Sequence, residues 1–152
     1  MAGWTLEDIP WHDFDQSRID PEIVPVIKAA SMVEYNAGDY RTYLCSVFHD
    51  DPRAIKAIEG WAEEEIQHGL ALGRWAELAD PTFDFADSFA RFTAGYQIPI
   101  DAPTSVRGSR AGELIARCIV ETGTSSYYSA LANATHEPVL ELICRHIADD
   151  EF

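Results

Sequence analysis

Four glutamates are spaced in a way that leaves few folds open to this chain. Glu34 and Glu65 lie 31 residues apart, and Glu121 and Glu151 lie 30 apart. Between the members of each pair stands a helix-start signal, Asp51-Pro52 in the first and Glu137-Pro138 in the second: an acidic residue followed by proline at the first helical position. Each pair therefore reads as a helical hairpin, one turning near position 50 and the other near position 136. Glu34 falls about 16 residues before its turn, and Glu65 with His68 is centred about 16 after it. At 1.5 Å per residue all three lie about 24 Å from the turn. Glu121 and Glu151 flank the second turn at about 15 residues on either side. Each acid also continues an apolar stripe, as in Ile58, Trp61, Glu65, His68, Leu72 and again in Leu140, Ile143, Ile147, Glu151. Four carboxylates and an imidazole are thus expected at one level of a helical core. Like charges at such close range cannot all stay ionised, and two divalent cations would neutralise them.

The remaining apolar periodicity fills in the frame. Ile23, Ile27, Ala30, Ala37, Leu44 and Phe48 predict helix A over 21–49. Helix B carries Ala54, Ile58, Trp61, Leu72 and Ala76 to about position 79 and stops before Pro81. Residues 80–108, with Pro81, Pro99, Pro103 and Gly108, read as a long crossover holding one short helix around 84–96. Helix C, 109–135, carries Leu114, Cys118, Tyr128 and Leu131, and helix D carries Leu140, Ile143, Cys144 and Ile147. The expected fold is all-α: a four-helix bundle over 21–152 with one long crossover between helices B and C, the ferritin-like variant. Residues 1–20 form an irregular arm laid against it. Helix D spans about 16 residues against about 27 for its partners, so the last helix is expected to be cut short and the natural chain to continue past Phe152.

Composition narrows the function classes. The chain has 152 residues, enough for one well-buried domain, and 47% hydrophobic with 11% aromatic content excludes a disordered one. With 26 acidic against 11 basic side chains, a formal charge of −15 argues against nucleic acid and anionic lipid as partners. No stretch approaches the roughly 20 apolar residues that span a bilayer, so no membrane insertion is expected. The start, "MAGWTLEDIPWHDFD", has neither a basic opening nor an apolar run, so no signal peptide is expected and a cytoplasmic location is. Cys45, Cys118 and Cys144 form no Cys-x-x-Cys pair and read as reduced core residues.

A glutamate from each of two helices plus Glu-x-x-His from each of the other two is a set that holds two iron or manganese ions in a bundle core. Mixed oxygen and nitrogen donors suit those metals better than thiolate-seeking ones. A lone Glu-x-x-His is common on surface helices; the four acids at matched spacing carry the argument.

The chain resembles the ferritin-like diiron carboxylate superfamily, its soluble acyl carrier protein desaturase branch above all, over nearly all of its length from Ile9 onward. In "WAEEEIQHG" a tryptophan stands four residues before the liganding glutamate and a glycine follows the histidine; in "CRHIADDEF" an aspartate directly precedes the last glutamate. The resemblance implies Glu34, Glu65, His68, Glu121 and Glu151 as metal ligands. It implies Asp150 as the acid that orients the His68 imidazole, with Trp61 beside it, and Thr124 as a catalytic hydroxyl near the metals. It also implies two iron ions (or manganese in one or both positions), an oxygen-activating oxidation of an apolar or acyl substrate near Gly123 and Thr124, an external electron donor, and a homodimer. The pattern departs in one place: a second Glu-x-x-His would need a histidine at position 154, beyond Phe152. Arg41, Arg53, Arg74, Arg107, Arg110 and Arg145 are scattered and offer no basic patch for an acidic carrier protein.

Other readings stand beside these. The whole could be a ferroxidase or rubrerythrin-like iron-handling protein, or a metal-free interaction bundle. Glu34 could pair with Arg41, two turns along. Thr124 and Ser125 could simply bond back to helix carbonyls. Gly123 could leave space for substrate or allow close helix packing, and Tyr127 with Tyr128 could pack the core or relay electrons. Glu63 and Glu64 are expected in solvent, and His12, His49, His136 and His146 at the surface or at caps.

Overall fold

The structure is a computed structural model and describes residues 3–152; the first two residues of the expected arm lie outside it. Among the described residues the chain is all-helical, with no strand. The arm contains two single 3-10 turns, Trp11–Asp13 and Gln16–Arg18. It packs Ile9 fully, and Trp4, Leu6, Trp11 and Phe14 partly, against the main core.

Helix A is not continuous. The structure splits it into α1 (Ile23–Tyr35) and α2 (Ala37–Val47) at Asn36. Asn36 and Gly38, both poor helix formers, stand two apart there, and the Asn36 amide bonds back to Val33 in a tighter turn. The break comes two residues after Glu34. It takes Arg41 off the Glu34 face: Arg41 is exposed and forms no ion pair among the described residues.

Helix α3 (Pro52–Ala79) starts as expected, the Asp51 carboxylate accepting from the amides of Arg53 and Ala54 with Pro52 in the first turn. Helix α4 (Phe85–Gly95) follows α3 in the chain, capped by Asp84. An aromatic run, Phe85, Phe89, Phe92 and Tyr96, holds it together, with Tyr35 of α1 set edge-on against Phe85 and Phe89. Helix α5 (Arg110–Ala134) is capped by Ser109 and α6 (Pro138–Asp150) by Glu137.

Helix α3 is central, packing on α1, α2 and α6, while α5 packs chiefly on α6. The core gathers Ile27, Leu72, Trp75, Tyr128, Leu140, Ile143 and Ile147, the apolar burial that drives folding. Gly69 lets α1 and α3 approach at the level of the acids, since a Cβ there would lie 2.5 Å from the Tyr35 amide nitrogen and 2.7 Å from its Cα.

Two expectations about burial are corrected. Leu114 and Cys118 do not pack inward: Leu114 is 54% exposed and Cys118 is exposed. The first half of α5 stands off from α2 and α3 across a cavity of about 400 Å³ that both residues line. The cysteines are free, but only Cys144 is buried; Cys45 is half-buried. Glu63 and Glu64 are exposed as expected. No helix among the described residues is long and apolar enough to cross a membrane.

Candidate metal centre

The matched spacing brings the side chains together. Glu34 from α1, Glu65 and His68 from α3, and Glu151 at the end of α6 each present a ligand atom within 4.8 Å of one another, and all four are buried. Glu121 of α5 stands outside this tight group, next to Glu151. Acids from four separate helices therefore lie near one another, with Arg117 3.7 Å from Glu121 at the edge of the group.

Hydrogen bonding orients the group. His68 Nε2 is 3.0 Å from Asp150 Oδ2, and the Trp4 indole donates to the same oxygen at 2.7 Å. Asp150 thus stands where the sequence places it, but the tryptophan bonded to it is Trp4 rather than Trp61. The Trp4 ring also lies parallel to His68, with centroids 5.9 Å apart, and stacks on His146 at 5.1 Å on its other face. His146 is therefore no plain surface group. With Nε2 engaged, His68 Nδ1 faces Glu151 Oε1 at 3.3 Å, yet neither atom has a hydrogen-bond partner among the described residues, and Glu121 Oε1 has none either. The Tyr128 hydroxyl donates to Glu34 Oε1 at 2.6 Å. Buried polar atoms are almost always paired, and the two unpartnered ones within the tight group, His68 Nδ1 and Glu151 Oε1, belong to side chains that could hold a metal ion.

Titration behaviour agrees. Burial, and then the Glu34 carboxylate beside it, push the Glu65 pKa up to about 11. Burial and then Glu151 raise Glu121 to about 8, against the pull of Arg117. For His68 burial opposes the charge, but Asp150 and Glu151 outweigh it and raise the imidazole to about 9. Burial works against the Glu151 carboxylate as well, yet His68 and Glu121 hold it below the ordinary range. Without metal, Glu65 and Glu121 are thus pushed toward their protonated forms and His68 toward its charged one. Oxygen donors with one imidazole suit a divalent cation better than a thiolate-seeking metal.

Thr124 lines a chamber of about 290 Å³ with Glu34, Glu65 and Glu121, while its hydroxyl donates back to the Val120 carbonyl at 3.0 Å. Ser125 instead donates across to the Ala148 carbonyl of α6. A Cβ at Gly123 would meet nothing within 4 Å, so this glycine leaves space and does not serve close packing. Tyr127 is 43% exposed, whereas Tyr128 is buried against the cluster. Trp61 lines the same chamber as Thr124, its indole nitrogen buried and unpartnered.

Sequence reasoning passed over three residues. Trp4 gave no local signal, because its partners are remote in the chain: Gln67 is 63 residues away and Asp150 is 146. The sequence suggests core packing or an electron relay for Tyr128, not the donor to Glu34. Arg117, 3.7 Å from Glu121, could have been found from the i, i+4 spacing of the two.

The chain matches no protein-family model, no curated protein and no solved structure, so the site's own geometry has to carry the functional reading.

Proposed function

We propose that this is a ferritin-like metal-carboxylate oxidoreductase. In this reading α1 and α2 with α3 form one hairpin of a four-helix bundle, α5 with α6 form the other, and residues 80–109 are the crossover. The observation that carries it is the buried group of Glu34, Glu65, His68 and Glu151, whose ligand atoms lie within 4.8 Å of one another, with His68 Nδ1 and Glu151 Oε1 unpartnered in it and an unpartnered Glu121 Oε1 beside it. Glu34, Glu65, His68 and Glu151 would hold one ion, and Glu121 would contribute to a second. Iron or manganese in those positions would supply the redox chemistry by which dioxygen is reduced with electrons from an external donor.

The chain's own groups have definite tasks. Asp150 holds the imidazole with Nδ1 aimed inward, and Trp4 covers it from solvent. Tyr128 keeps one Glu34 oxygen engaged and so fixes that carboxylate. Protons held by Glu65, Glu121 and His68 leave as cations arrive. The apolar cavity that ends on Glu121 and Glu151 favours an organic substrate over iron handling alone, because a ferroxidase needs no apolar chamber beside its acids.

Anaerobic loading with Fe(II) followed by metal analysis tests the reading. At least one tightly bound iron per chain is expected, and Glu65→Ala should abolish it. Protein that binds no iron, or a variant that binds as much as the wild type, would defeat the assignment. Oxidation of the loaded protein in air at one rate with and without every apolar compound tried would return the choice to ferroxidase.

A further inference from the structure

We infer that the substrate is an apolar molecule bearing one carboxylate, and that Arg117 and Arg107 hold that carboxylate beside the metal-binding acids. The inference deepens the functional reading above and rests on it. Arginines are scarce in a chain of charge −15. Even so, Arg107 from the crossover and Arg117 from α5 line the same chamber of about 290 Å³ that Glu34, Glu65 and Glu121 line. The arginines are not all scattered: these two line one chamber, where an acidic surface would otherwise turn an anion away.

Arg117 is held in place without using up its donors. Its guanidinium lies over the rings of Tyr40 and Trp61, at 5.1 and 5.6 Å from their centroids, and its side chain is only 21% exposed. Its nearest carboxylate oxygen, on Glu121, is 3.7 Å away, outside hydrogen-bond range. Arg107 Nε is 3.5 Å from Glu113 Oε2, while the other oxygen of Glu113 already accepts from Tyr43 and Ser105. Neither guanidinium donates a hydrogen bond among the described residues. A planar fork with free N–H groups matches a carboxylate in two-point geometry. Cations bound by Glu121 and its neighbours would not compete for that fork, and would draw Glu121 away from Arg117.

The apolar part of the ligand has a place as well. The cavity of about 400 Å³ shares Trp61, Arg117 and Glu121 with the polar chamber and is walled by Leu44, Phe48 and Ile58. Its volume is within the range of small-molecule sites. A chain seated there with its carboxylate on Arg117 would lie along Glu121.

Calorimetric titration of decanoate and decanol tests this, using the full chain both metal-free and loaded with redox-inert Zn(II), as wild type, Arg117→Gln, Arg117→Lys and Arg107→Gln. Decanoate should bind the wild type on the order of tenfold tighter than decanol, the worth of a charge-assisted pair. Arg117→Gln should remove most of that preference and Arg117→Lys should restore part of it, with decanol affinity unchanged within about twofold. Equal affinity for acid and alcohol, absence of binding by both, or decanoate binding that ignores Arg117 would each overturn the inference. The two readings fail separately. Zn(II) bound with decanoate blind to Arg117 sinks the anion site alone. Decanoate that needs Arg117 in a chain unable to bind Zn(II) sinks the metal reading alone.

Discussion

Replacing Gly69 by alanine sets two opposing terms against each other at the candidate site. In a helix interior alanine is favoured over glycine by about 1 kcal/mol. At Gly69, however, the new Cβ would lie 2.5 Å from the Tyr35 amide nitrogen, 2.6 Å from its Cβ and 2.7 Å from its Cα, where ordinary contact begins at 3.4 Å. The opposing atoms are mostly backbone, so α1 itself must retreat by about 0.9 Å, the gap between the 2.5 Å and 3.4 Å distances. Overpacking of that kind costs about 3 kcal/mol at the upper end of its usual range. The net loss should be about 2 kcal/mol, or roughly 4–8 °C in melting temperature for a domain of this size. Because Glu34 precedes Tyr35 directly, the same retreat moves a proposed ligand carboxylate, and metal affinity should fall with stability. Gly60, in the same helix with nothing within 4 Å of its would-be Cβ, provides the control: Gly60→Ala should raise the melting temperature by about 2–4 °C. Thermal melts followed by circular dichroism, with and without Zn(II), would decide. A Gly69→Ala protein melting at or above the wild type with unaltered Zn(II) affinity would refute the claim that this glycine sets the α1–α3 approach.

Three further outcomes can be checked. Asp150→Asn should weaken metal binding by about 10- to 100-fold by loosening the tautomer and aim of His68; an unchanged dissociation constant would show that Asp150 does not orient the ligand. The metal-free protein should lose stability as pH rises. Glu65, Glu121 and His68 all have folded-state pKa values above their unfolded ones, at about 11, 8 and 9. Their stabilisation is fully present below the unfolded values of about 4.5 and 6.5 and is lost as pH climbs through the folded ones. Glu151, whose pKa is lowered, works the other way only on the acid side. Melts between pH 5 and 9 should therefore fall for metal-free protein, and metal binding should release protons in weak buffer; a rising profile would contradict the assigned proton occupancy. Glu137, fully buried, accepts from the Trp75 indole, the Leu140 amide and the Asp15 amide. Glu137→Ala should cost roughly 3 kcal/mol through the lost cap and an unpaired buried donor, measurable in urea unfolding.

Much of the frame was legible because it depends on local rules. Asp51-Pro52, Ser109 and Glu137-Pro138 start helices through side chains that satisfy nearby amides. A turn position with the helix rise then places Glu34, Glu65, His68, Glu121 and Glu151 at a common height. The break at Asn36 was harder to read, since the apolar stripe runs on through Ala37 and Leu44 to Phe48 and periodicity alone predicts one helix. Leu114 and Cys118 share a stripe with Tyr128, but a stripe does not say whether the neighbouring helices close over it along its whole length.

The sequence by itself thus determined an all-helical chain, the starts of its main helices and the height at which acids and imidazole gather, because helix signals and helix rise act over a few residues. Tertiary structure alone decided that Trp4 clamps Asp150, that Tyr128 reaches Glu34, that α5 stands off to leave a cavity, and that Arg107 and Arg117 share one chamber. Those outcomes depend on which faces meet between segments tens of residues apart, where packing and the pairing of buried polar atoms, rather than any local preference, select the arrangement.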